Sequence, residues 1–227
     1  MTRPFVLLVV AKAPVPGLAK TRLCPPATPA EAAEIAAAAL LDTLDAVCAV
    51  PGAVPVVAMT GDLGAAARST EIGAALRRAF VLPQRGRDFG ARLANAHADA
   101  AAAHPGLPVL QIGMDTPQVT PESLAAAAAP VRHGDHDSVL GPAVDGGWWA
   151  LGLAEPRHAQ VLADVPMSRD DTGIRTLQAL VACGLRPTGA ARLSDVDTMA
   201  EARSVSAACP GSRFARAVAA VGGRVVA

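Results

Sequence analysis

The chain begins with an unbroken apolar run from Phe5 to Ala11, without the polar alternation of a half-exposed strand. Such a run reads as a strand buried on both faces. It empties into a loop holding Pro14, Pro16 and Gly17, after which Thr28-Pro29-Ala30-Glu31 forms a capping box with proline at the first helical position. That signal predicts a helix running to about Val50. Further along, Val54–Met59 reads as a second strand, a short helix follows Gly61-Asp62, and Phe80-Val81-Leu82 reads as a brief third strand. Arg87–His104 reads as helix, and Leu107–Gly113 as a buried strand ending at Met114-Asp115-Thr116-Pro117.

Thr120-Pro121-Glu122 opens the next helix, through about Val131, and Ser138–Gly141 and Trp148–Leu153 read as two strands around a Gly-rich turn. Asp170–Cys183 reads as helix closed by Gly184, and a strand is expected near Pro187–Leu193. It leads into Ser194-Asp195-Val196-Asp197 and a capping box, Thr198-Met199-Ala200-Glu201. Strand and helix signals that alternate in this way predict an α/β chain with a largely parallel sheet covered by helices. No linker divides it, so residues 1–227 are expected to form one domain.

Composition narrows the functional class. Twenty basic residues balance twenty acidic ones, which leaves no electrostatic footprint for nucleic acid or an anionic membrane. Any anion binding must therefore be local. The longest alanine-rich run is interrupted by Asp42 and Asp45, which argues against a membrane span. Cys24, Cys48, Cys183 and Cys209 form no C-x-x-C pair, and the apolar run after Arg3 is too short for a signal peptide. Reduced cysteines and a cytoplasmic location are the expectation.

Candidate chemistry lies at the ends of the expected strands. Lys12, Lys20 and Arg22 converge on the loop after the first strand, where α/β folds commonly hold phosphates. Asp115 follows a core strand and is held at its tip by Thr116 and Pro117. A carboxylate there suits Mg²⁺ bridging phosphates, or equally a turn hydrogen bond. Asp195 and Asp197 are expected at another strand tip, and alternation turns both to one side. Thr198 already fits the helix cap, which frees both aspartates. In Gly141-Pro142-Ala143-Val144-Asp145-Gly146-Gly147-Trp148-Trp149, the glycines permit close approach of a ligand, or simply a hairpin with the tryptophans on opposite faces. Gln84-Arg85-Gly86-Arg87-Asp88-Phe89-Gly90-Ala91-Arg92-Leu93 supplies a second basic loop, suited to phosphate or nucleobase or to a solvated helix start. Ser168-Arg169-Asp170-Asp171-Thr172 opens another helix, where it reads first as a cap and second as a further phosphate contact.

Two motifs fail on inspection. Gly17-Leu18-Ala19-Lys20-Thr21 ends like a Walker loop but has Ala19 where glycine is needed, and no G-x-G-x-x-G follows a strand. The histidines show no metal-ligand spacing, and no nucleophile elbow is present.

The ordered set AKAPVPGLAKTRL, QRGRDFGARL, IGMDTPQVTPESL, GPAVDGGWWALGL and DVDT resembles the glycosyltransferase-like proteins called rSAM/selenodomain-associated transferase 1. The likeness runs from about Val6 to Glu201, with Met199 and Trp149 as departures that touch no proposed ligand. It implies the GT-A fold of the nucleotide-diphospho-sugar transferase superfamily, similar to 2-phospholactate and molybdenum-cofactor guanylyltransferases. It further implies that Ala11, Lys12, Gly17, Lys20, Arg22 and Arg87 meet the nucleotide, and that Asp115 with Asp195 or Asp197 holds Mg²⁺ or Mn²⁺. Asp145, Gly146, Gly147 and Trp148 would contact the sugar or acceptor, with Lys20, Arg22 and Asp115 carrying the chemistry. The expected activity is a nucleotidyl transfer from an NTP to a phosphorylated small-molecule acceptor. The alternatives are a glycosyl transfer from a nucleotide sugar, or nucleotide binding without turnover.

Overall fold

The computed structural model describes residues 3–222. They form one seven-stranded sheet, built from β1 (Phe5–Lys12), β2 (Ala53–Thr60), β3 (Phe80–Pro83), β4 (Val109–Gly113), β5 (Ser138–Pro142), β6 (Trp148–Leu153) and β7 (Pro187–Gly189). The strand order is β3-β2-β1-β4-β6-β5-β7. β1 pairs in parallel with both β2 and β4, so its unbroken apolar run sits at the sheet's centre with both faces covered. Between β4 and β5 the largely parallel pattern breaks, because β6 is antiparallel to both. A tight turn between β5 and β6 can only return the chain alongside itself, which makes that pair antiparallel by necessity.

Helices α1 (Pro29–Cys48), α2 (Ser69–Leu76) and α4 (Pro121–His133) cover the face presenting Phe5, Leu7, Val9 and Ala11. Helix α3 (Phe89–Ala103), a 3-10 segment at Pro156–Asp164 and α5 (Thr172–Ala182) cover the opposite face, which presents Val6, Leu8 and Val10. A third core lies outside the sheet. There α6 (Met199–Ala208) and α7 (Arg213–Gly222) pack Val196, Met199, Phe214 and Val218 against Leu23 and α1. Among the described residues, no helix is long and apolar enough to cross a membrane.

Several boundaries differ from the expectation. The helix after the second basic loop opens at Phe89 instead of Arg87, because the Asp88 side chain takes the Ala91 amide at 2.9 Å and so acts as the cap. Asp171 makes no side-chain cap, and α5 begins at Thr172. The strand expected over Pro187–Leu193 shrinks to three residues, after which the chain keeps scattered backbone bonds, Ala190 to Leu140, Leu193 to Pro142 and Val144 to Leu193, and one isolated bridge between Ala143 and Leu193. The 3-10 segment and α7 have no counterpart in the sequence reading.

Candidate functional site

The carboxyl ends of β1, β2 and β4 open into a cleft of about 840 Å³. One wall is the loop after β1. Val15 accepts the amides of Leu18 and Ala19, which folds the loop back on itself. Lys20 then adopts a left-handed backbone, with φ of 47°. Its Nζ donates to Asp115 Oδ2 at 2.7 Å and to Asp197 Oδ1 at 2.8 Å, and Arg22 donates to Asp197 Oδ2 at 3.1 Å. The Lys20 side chain is only 16% exposed, whereas that of Arg22 is 73% exposed. Burial alone would lower the Lys20 pKa, but the charges of Asp115 and Asp197 and the hydrogen bonds to both more than offset it, and the net shift is upward.

Asp115 lies two residues past β4, and its Oδ1 folds back over Gly113, where a β-carbon would come within 2.6 Å of it. Asp195 and Asp197 do not sit on a strand tip as expected. They arrive on the irregular segment after β7, held by the backbone bond from Val144 to the Leu193 carbonyl and by Gln118 donating to the Ser194 carbonyl. Val196 between them is buried in the third core, so in this extended stretch its two neighbours turn the other way, into the cleft. Glu201 takes the amides of both Asp197 and Thr198 in the capping box, which leaves the Asp197 carboxylate free of any capping duty.

Asp115, Asp195 and Asp197 each offer an oxygen, and these three atoms lie within 4.8 Å of one another. Burial, followed by the charges of Asp115, Asp145 and Asp197, pushes the Asp195 carboxyl up to about 6. Burial also works against ionisation of Asp197, but Lys20 and Arg22 outweigh it and hold that carboxyl below its ordinary value. Clustered hard oxygen donors fit a small divalent cation. The Lys20 ammonium among them shows that this cluster takes positive charge.

The remaining expected residues divide. Ala11, Lys12, Asp145, Gly147 and Trp148 line the same cleft. Lys12 Nζ is turned onto the Leu18 carbonyl at 2.8 Å, where it braces the loop. Gly17 lies on the loop's outer, exposed turn with φ of 77°. Gly146 packs against the Asp170 carbonyl and away from the cleft, while Asp145 closes the turn by accepting the Gly147 amide at 2.8 Å. Trp148 donates to Thr176 and Trp149 to the Ala191 carbonyl, on opposite faces of the sheet, as the hairpin reading has it.

Arg87 is 87% exposed, pairs with Asp88, and stays outside the cleft. Phe89 and Arg92, from the first turn of α3, line it instead, with the Arg92 guanidinium 5.5 Å from the Phe89 ring centroid. Helical spacing carries that signal: once Asp88 is the cap, Phe89 and Arg92 are three apart and share a face. Gln84 was also passed over as a site residue. Its amide donates to the carbonyls of Ala11 and Ala58, tying β1 and β2 together at the cleft floor. Arg169, Met167 and Thr172 complete the far wall.

A family model described as "Uncharacterized protein conserved in bacteria (DUF2064)" matches residues 43–169. No curated protein matches the chain. Among solved structures, the chain is similar to a provisionally assigned nucleotide-diphospho-sugar transferase from Desulfovibrio desulfuricans G20. The TM-score is 0.79 at 24% identity, over 95% of this chain and 92% of that one. It is also similar to CMP:2-keto-3-deoxy-manno-octonic acid synthetase complexed with CTP, with TM-score 0.55 and 11% identity over 89% and 96% of the two chains. A third is Rv0371c of Mycobacterium tuberculosis H37Rv in complex with manganese, with TM-score 0.51 and 18% identity over 90% and 98%. These likenesses establish the fold: an α/β sheet of the nucleotide-diphospho-sugar transferase kind.

Proposed function

The chain belongs to the DUF2064 family of bacterial proteins, and on the chemistry of its cleft we propose that it is a metal-dependent transferase moving a nucleotidyl group from an NTP to a phosphorylated small molecule. One observation carries the reading: Lys20 and Arg22 meet Asp115, Asp195 and Asp197 in a single cluster at the carboxyl edge of the sheet. Cations and carboxylates brought together at that edge suit a metal–polyphosphate substrate, since each half of the cluster answers one half of the ligand.

In this reading Asp115, Asp195 and Asp197 would hold Mg²⁺ or Mn²⁺. The ion would supply neutralisation of charge on the phosphate oxygens as the leaving group departs. Lys20 and Arg22 add fixed positive charge on the same side, which favours a charge-rich transition state over the ground state. Arg22, bonded to Asp197, and Lys20, carried on the folded loop after β1, also orient the phosphate chain. Arg92, from α3, and Arg169, just before α5, also line the cleft and suit the acceptor's own phosphate. The mixture of a basic loop and a manganese-binding neighbour of like fold supports the reading, as does the resemblance to the transferase 1 proteins and to guanylyltransferases.

A glycosyl transfer from a nucleotide sugar is the second reading, favoured by the half-buried Trp148 ring beside Asp145 in the cleft, a surface on which a sugar ring can stack. Product analysis separates the two. With Mg²⁺ and a sugar phosphate or phospho-acid, the nucleotidyl reading expects pyrophosphate released from an NTP. Nucleoside diphosphate released from a nucleotide sugar, with no exchange of labelled pyrophosphate into NTP, would sink it. In either case Asp115→Asn should lower kcat/KM by about 100-fold or more. Arg22→Ala should weaken nucleotide binding yet shift unfolding by no more than about 0.5 kcal/mol, as an exposed ion pair would.

A further inference from the structure

Lys20 occupies the position where the aspartate cluster would hold its metal. Its ammonium lies 2.7 Å from Asp115 and 2.8 Å from Asp197, and it is the group that draws these two carboxylates together. Asp197 spends its second oxygen on Arg22 at 3.1 Å, so both of its oxygens already face cations. A divalent ion held by the same cluster needs oxygen from Asp197 and Asp115, and it would bring two more positive charges against a buried ammonium. At that separation like charges repel strongly in a partly desolvated site. The ammonium and the metal therefore compete for one position.

From this geometry we infer that Lys20 is an internal cation that holds the aspartate cluster in the metal-free protein and is displaced when the metal enters. The inference rests on the proposed metal-binding reading of the cluster and adds an order to it. Displacement costs Lys20 two charged hydrogen bonds, so a bare metal ion binds weakly. Phosphates arriving with the ion give the released ammonium new anionic partners beside the loop that carries it. Metal and polyphosphate then favour each other's binding, and the coupling is reciprocal. Nothing covalent changes: Lys20 leaves the carboxylates as an ammonium and remains one.

The left-handed backbone at Lys20 fits this role. The residue is pinned between the folded loop on one side and the 3-10 turn Thr21–Leu23 on the other, with buried Leu23 fixed in the third core. The backbone is held, and the long flexible stem is the part able to swing.

The test is direct binding of Mn²⁺, without nucleotide, to wild type, Lys20→Met and Asp115→Asn by calorimetry or electron paramagnetic resonance. Displacement expects Lys20→Met to bind Mn²⁺ about tenfold tighter or more than wild type, since a competing charge is gone. Asp115→Asn should bind it more weakly than either. A second measurement uses wild type alone and so does not depend on that variant folding. The Lys20 side-chain nuclear magnetic resonance signal, restrained by two carboxylates in the free protein, should shift and sharpen as Mg²⁺ is added. Lys20→Met binding no tighter than wild type, or a Lys20 signal unmoved at saturating Mg²⁺, would overturn the inference while leaving the metal site standing. Equal Mn²⁺ binding by Asp115→Asn and wild type would remove the metal reading, and the inference with it.

Discussion

Gly146 and Gly173 meet backbone to backbone: the Gly173 amide donates to the Gly146 carbonyl at 2.8 Å, which locks the first turn of α5 onto the β5–β6 turn. Gly146 holds φ of 91°, where a side chain is disfavoured, and a β-carbon there would run into the Asp170 carbonyl. The two glycines set how closely α5, with Thr172 at its start and Arg169 before it, approaches the wall of the cleft.

A pair of alanine substitutions isolates that contact. At Gly173 a β-carbon would lie 2.6 Å from the Gly147 carbonyl oxygen and 2.9 Å from that of Gly146, both backbone atoms that cannot swing aside. Gly173→Ala is therefore expected to cost about 1–3 kcal/mol. Gly73, inside α2 with open space around it, is the contrast. Gly73→Ala should stabilise by about 0.5–1 kcal/mol through helix propensity alone. Thermal or denaturant unfolding of both variants decides the matter, and a Gly173→Ala protein as stable as wild type would refute the close-contact argument.

Gly113 offers a different kind of test, because its neighbour is a movable side chain. A β-carbon would come within 2.6 Å of Asp115 Oδ1, with the Asp115 amide no nearer than 4.0 Å. Gly113→Ala should leave the fold intact and push the carboxylate out of the cluster. Mn²⁺ affinity is expected to drop by about tenfold or more while the unfolding free energy moves by less than about 1 kcal/mol. Metal binding that survives the substitution unchanged would show that Asp115 is not a ligand.

His97, on α3, is fully buried, and neither ring nitrogen has a hydrogen-bond partner among the described residues. Burial pushes its pKa down to about 3. The unfolded chain takes up this proton near pH 6.5, and the folded protein refuses it until about pH 3. The unfolded state thus binds more protons across that window, so stability falls as pH drops through it, by about 1.4 kcal/mol per unit from this group. Above pH 6.5 the penalty vanishes. His97→Leu should flatten the decline between pH 6 and 4 relative to wild type in denaturant titrations. Parallel curves for the two proteins would contradict the assignment.

The amino-acid sequence by itself determined the features that neighbours along the chain control. The capping boxes at Thr28 and Thr198 and the helix cap at Thr120 form where expected, since each joins residues three apart and needs no distant partner. The central position of β1 is equally legible, because a run with no polar face can be satisfied only between two layers. Asp115, Asp195 and Asp197 were visible as candidates through their expected place at strand ends, and alternation already turned the last two to one side, although β7 ends at Gly189, short of both.

Tertiary structure alone decided how those pieces meet. β6 inserts antiparallel between β4 and β5 because the short turn at Asp145–Gly147 leaves no room for a crossover, and pairing with β4 depends on residues about 40 positions away. Arg87 lost its place in the cleft to Phe89 and Arg92 because one local cap, Asp88, rotated the start of α3. The bond between Lys20 and Asp197 spans 177 residues. No periodicity encodes such a contact. It exists because α6 and α7 bury Val196 and Phe214 against α1, and that apolar burial carries the carboxylate to the ammonium.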